Sequence, residues 1–119
     1  MPISKSEFTI KRNDTLPALQ ATLVDVNCLG GKLPFNLSAV TAVTFTMVDS
    51  CGNAKVLLQP AQIISASGGI LQYNWQVGDT DTEGVYDGEF QMFFSGGGKM
   101  SVPRDTPISI EIFKDINPY

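Results

Sequence analysis

The stretch Tyr73-Asn74-Trp75-Gln76-Val77-Gly78-Asp79-Thr80-Asp81-Thr82-Glu83-Gly84-Val85-Tyr86-Asp87-Gly88-Glu89-Phe90 decides the fold. Leu71, Tyr73 and Trp75 alternate onto one face of a strand, an acidic turn follows, and Gly84 and Tyr86 open a second strand that carries Phe90, Met92 and Phe94 on one face. Period-two alternation of large apolar residues marks strands with one buried face. Two such strands joined through a short acidic turn form a corner between packed sheets.

Outward from this corner the same pattern recurs. Phe8 and Ile10 alternate in residues 8–11, and Leu19, Ala21 and Leu23 in 19–24. Val43, Phe45 and Met47 share a face in 43–49, and Val56 and Leu58 lie in a run closed by Pro60. Further runs cover 62–65, 70–76, 85–94, 99–102 and 108–113, the last with Ile108, Ile110 and Ile112 in strict alternation. About eight or nine short strands, with Pro17, Pro34, Pro60, Pro103 and Pro107 at run ends, fit a sandwich and not an alternating α/β fold. A helical turn is expected only near Leu37-Ser38-Ala39. The prediction is an all-β, immunoglobulin-like antiparallel β-sandwich, one domain over 1–119 with extended terminal segments at 1–7 and 114–119.

A glycine two residues before a tyrosine, just after an acidic turn, is similar to the tyrosine corner of immunoglobulin-like sandwiches. Tyr86 is therefore expected to reach back to the turn around Asp81, with Trp75 buried beside the corner. Gly88 stands where an antibody domain has its second cysteine.

Eight basic and twelve acidic residues give a net charge of −4, and among the basic ones only Lys11 and Arg12 adjoin. No basic stripe exists to neutralise phosphates or anionic lipid, so nucleic acid and membrane surfaces are not expected partners. The N-terminus lacks the apolar core of a signal peptide, and no run approaches the roughly 20 apolar residues that span a bilayer, which predicts synthesis and retention in the cytosol. Cys28 and Cys51 are then expected as free thiols, and the Asn36-Leu37-Ser38 sequon is without consequence. Histidine is absent, which removes Ser-His and Cys-His pairs and histidine metal ligands.

Asp79, Asp81 and Glu83 match the first half of a calcium loop, but Phe90 stands at the twelfth position where a bidentate glutamate is required, so an acidic capping turn is expected and no metal. Ser95-Gly96-Gly97-Gly98-Lys99 lacks the earlier glycine of a phosphate-binding loop and reads as a hairpin. The pairs Asp81/Glu83 and Asp87/Glu89 lie on solvated faces, where nothing raises a carboxyl pKa for acid–base catalysis. Tyr73, Trp75 and Tyr86 offer a sugar-stacking platform only if exposed; their alternation with Leu71 favours burial. Phe93 and Phe113 oppose the better-populated inward faces and are expected outward on neighbouring strands, as a joint contact surface.

Residues 8–23 (Phe-Thr-Ile-Lys-Arg-Asn-Asp-Thr-Leu-Pro-Ala-Leu-Gln-Ala-Thr-Leu), the Val43-Thr44-Phe45-Thr46-Met47 strand and the block from Tyr73 to Phe90, in this order, resemble the N-terminal domain of the phage baseplate upper protein family. The resemblance spans nearly the whole chain and rests on no catalytic motif. It implies a non-enzymatic virion structural protein without cofactor, attaching or bracing baseplate and tail components through contacts with other phage structural proteins in a symmetric homo-oligomer. Longer members carry a stalk or receptor-binding region with no counterpart here, so attachment is expected and not receptor recognition. The alternatives are a capsid- or neck-decorating protein, or a carbohydrate-binding module.

Overall fold

The computed structural model describes residues 7–26, 30–103 and 107–114. Cys28 and most of the expected terminal extensions (1–6 and 115–119) lie outside the described residues. Eleven strands occur among those described: β1 (Glu7–Lys11), β2 (Leu19–Thr22), β3 (Val24–Val26), β4 (Lys32–Pro34), β5 (Val40–Val48), β6 (Ala54–Pro60), β7 (Gln62–Ser65), β8 (Ile70–Tyr73), β9 (Gly84–Phe94), β10 (Lys99–Val102) and β11 (Ile108–Phe113).

The chain is a β-sandwich. The larger sheet has the order β1-β11-β9-β5-β6, with β10 paired to the far half of β9, and the smaller sheet has the order β2-β8-β7. An immunoglobulin-like sandwich sets its B, E and D strands against C, F and G in this arrangement, with β9 as the central F strand. Alternation supplies the core from both sides. Val43, Phe45 and Met47 of β5, Tyr86, Phe90 and Met92 of β9, and Ile108, Ile110 and Ile112 of β11 face Leu19, Ala21, Leu71 and Tyr73 of the smaller sheet. Phe45 is the hub: its ring stacks on Tyr73 with centroids 4.6 Å apart, tilts against Phe90 at 5.1 Å and meets Trp75 edge-on at 5.9 Å.

Three features depart from the expectation. The run 19–24 divides at Leu23, whose amide donates to Gly69 O (2.8 Å) and whose carbonyl accepts from the Phe35 amide (3.0 Å). Gly69 permits this approach, with φ +70° and Leu23 O only 2.6 Å from where a Cβ would lie. The chain beyond Leu23 then leaves β8 and forms the β3–β4 hairpin. Second, β1 runs parallel to β11, so the sandwich is not purely antiparallel. The two strands are separated by the whole domain and not by a hairpin, which leaves either direction open to them. Third, β6 holds one residue more than β5 between the Phe45–Gln59 and Met47–Val56 pairs, a bulge with Leu58 at φ +50°. Val56 is buried while both Leu57 and Leu58 face solvent. At Leu37-Ser38-Ala39, where a turn is expected, a single turn forms, closed by Val40 N to Leu37 O (3.0 Å).

Candidate functional site

The corner between β8 and β9 is a hydrogen-bonded scaffold. The Tyr86 hydroxyl donates to Thr82 O at 2.8 Å, four residues upstream, and burial pushes the phenol pKa up. Asp81 accepts from Lys55 Nζ and from Thr82 Oγ1 (2.9 Å). The lysine contact, first among the causes, holds its carboxyl below the ordinary range. Asp79 turns the other way: its Oδ2 accepts from the Tyr73 hydroxyl (2.5 Å) and from the Gln76 amide (2.8 Å). Thr80, buried between the two acids, donates from Oγ1 to Asp14 O (2.8 Å), and its carbonyl accepts from the Asn13 amide (2.9 Å). The corner thereby pins the loop that joins β1 to β2.

Asp79 and Asp81 thus serve separate partners, and among the described residues no three His, Cys, Asp or Glu side chains are grouped to hold a metal ion. Trp75 lies in the core at 4% exposure with Phe8 and Tyr73 against it, and Tyr73 is 1% exposed. With Tyr86 also buried, no aromatic platform for a sugar forms from these three side chains, which corrects the carbohydrate-binding alternative. The triple-glycine segment closes the β9–β10 hairpin through Phe94 N to Gly98 O and Gly97 N to Phe94 O, both 2.9 Å. Cys51 is an exposed free thiol at the tip of the β5–β6 hairpin. Asp79's contact with Tyr73, Lys55 at Asp81 and the Thr80 pin carry no motif in sequence; only the acidic turn that holds them was legible there.

The joint Phe93–Phe113 surface is corrected. β11 pairs with the near half of β9, with Ile112 opposite Gly84, whereas Phe93 pairs with Lys99 of β10 and Ala42 of β5. The stretch of β9 from Gly84 to Phe93 separates the two positions, about 30 Å at the rise of a strand. Phe93 is half-buried, and Phe113 is 43% exposed.

Phe113 instead belongs to a groove along β1. Thr9, Ile10, Lys11, Asp14, Leu16, Pro17 and Phe113 line a concavity of about 360 Å³. Leu16 stands 76% exposed on its rim. β1 is the terminal strand of the larger sheet, so among the described strands none pairs with its outer edge. The sequence signalled Phe113 but not Leu16, because only the fold brings the 12–17 loop beside the last strand.

No protein-family model matches the chain, and no curated protein matches it. Among solved structures, CopC from Methylosinus trichosporium OB3b is similar over 97% of this chain and 91% of that one, with a TM-score of 0.54 and 14% identity. The likeness establishes the β-sandwich fold. It also corrects the expected function: this structural neighbour is a CopC, which contradicts the virion role expected in baseplate, tail, neck or capsid.

Proposed function

We propose that this domain is a non-catalytic binding module that holds an extended, largely apolar segment of a protein partner along β1. The observation that supports this reading is the groove of Ile10, Leu16, Pro17 and Phe113 beside the outermost strand of the larger sheet. The groove is shallow and open to solvent, as a site for an extended chain must be, and sets a few polar groups, Thr9, Lys11 and Asp14, beside its apolar side chains. A strand edge supplies backbone donors and acceptors to an added strand, and a neighbouring pocket selects its side chains. Nucleophilic catalysis has no support in the residues: with no histidine in the chain, neither a serine hydroxyl nor the exposed Cys51 thiol has an imidazole base. A metal-handling reading, to which the CopC neighbour points, finds no group of three His, Cys, Asp or Glu side chains among the described residues to carry it.

The test is selection of a random peptide library on the parent protein, with counter-selection on Leu16→Asp. Peptides with alternating apolar residues should be enriched on the parent alone, and their amide shift changes should centre on residues 9–11 and 113. Equal enrichment on both proteins would overturn the groove as the site.

A further inference from the structure

The smaller sheet differs from the larger one in charge. Its strands read Leu-Gln-Ala-Thr in β2, Gln-Ile-Ile-Ser in β7 and Ile-Leu-Gln-Tyr in β8, without one Asp, Glu, Lys or Arg. The larger sheet carries Glu7, Lys11, Lys55, Asp87, Glu89, Lys99 and Glu111 on its strands. Across the outer face of the smaller sheet runs a continuous chain of side-chain amides. Gln20 Nε2 donates to Gln72 Oε1 (2.7 Å), Gln72 Nε2 to Asn74 Oδ1 (2.8 Å), and Asn74 Nδ2 to Gln62 Oε1 (3.0 Å). Ile64 lies on the same side of β7 at 47% exposure.

We infer that this uncharged, amide-laced face is where a second copy of the chain docks, the two smaller sheets meeting around a twofold axis. An amide that donates once and accepts once keeps a further N–H and a further lone pair, so the face presents donors and acceptors together and complements itself. The hydrogen bonds already restrain the four side chains, which lowers the entropy lost on contact. Two copies of a chain with net charge −4 repel wherever acidic surfaces oppose, and this is the sheet face on which they meet without opposing like charges. Interface centres are depleted of charge in the same way. Three strands of four residues cover about 15 Å by 15 Å, well short of the roughly 800 Å² per partner of a standard interface. The dimer is accordingly weak and forms at high protein concentration.

Sedimentation velocity over a concentration series reaching about millimolar tests it, a range suited to a contact of this small area. The parent should move from monomer towards twice that mass. Gln72→Lys, which places like charges face to face at the centre, should weaken the association about tenfold or more while its melting curve stays near that of the parent. Ile64→Lys, at a solvent-exposed position, should act in the same direction. Val85→Thr, at an exposed position of the larger sheet, and Leu16→Ser, in the β1 groove, leave the net charge as it is and should change nothing, which separates this contact from the proposed partner site. A parent that stays monomeric throughout, or lysine variants at 72 and 64 that associate as the parent does, would overturn the inference.

Discussion

The Tyr73 hydroxyl donates a 2.5 Å hydrogen bond to Asp79 Oδ2, tying the end of β8 to the turn six residues on. The same oxygen accepts the Gln76 amide, so a single carboxylate fixes both the tyrosine and the turn backbone. Tyr73→Phe should lower stability by about 1–2 kcal/mol, and Asp79→Ala by more, since it leaves a buried hydroxyl and an amide without their partner. Urea unfolding of both variants checks the order. Equal stability of Asp79→Ala and the parent would show that the contact is dispensable.

The same pair gives an alkaline signature. Burial first, and then Asp79, raise the Tyr73 pKa well above its ordinary value of 10.0. A phenol whose folded pKa is raised contributes stability that is full below the unfolded value and is lost as pH rises through the folded one. Stability should therefore fall as pH climbs beyond 10.0, and Tyr73→Phe should flatten that decline. Phenolate absorbance followed against pH should show Tyr73, with Tyr86, ionising late. Full ionisation of all three tyrosines near pH 10.0 in the folded protein would refute this.

At the opposite end of the scale stands Asp81. Lys55 and Thr82 depress its pKa below 3.8, so its contribution is present above that value and disappears as pH falls through the folded pKa. Both partners are substantially open to solvent, and salt should screen the pair. Lys55→Met should move the Asp81 carboxyl back towards the ordinary range, read by carboxyl carbon shifts, with little change in melting temperature at neutral pH. An unshifted titration would mean that Lys55 does not set it.

The corner and the core were legible because they rest on local signals. Alternation placed Trp75, Phe45 and Ile110 inward, and the Gly84-Val85-Tyr86 spacing located a tyrosine whose hydroxyl bonds back to the turn. What depends on pairing between distant strands was not legible. Phe93 and Phe113 both face away from the better-filled side of their strands, but nothing in either strand encodes that β11 stops at the near half of β9. The groove joins Leu16 to Phe113, and the amide chain joins Gln20, Gln72, Asn74 and Gln62, through register alone.

Gly88 shows how the core does without the cystine of an antibody domain. A Cβ on Gly88 would lie 2.7 Å from Ile110 Cδ1 and 3.0 Å from two atoms of the Phe45 ring, so the phenylalanine fills the space between the sheets. The backbone there has no positive φ, and the constraint is volume alone. Gly88→Ala should destabilise by about 1–3 kcal/mol, the range for forcing an extra methyl into a packed core. Because the nearest obstacle is the end of a flexible side chain, Ile110→Val, which removes that methyl, should be partly compensating. The double variant should then be more stable than the sum of the two single losses predicts, by about 0.5 kcal/mol or more. Strict additivity in denaturant unfolding would mean that Gly88 and Ile110 do not compete for the same space, and that the Phe45 ring alone excludes the methyl.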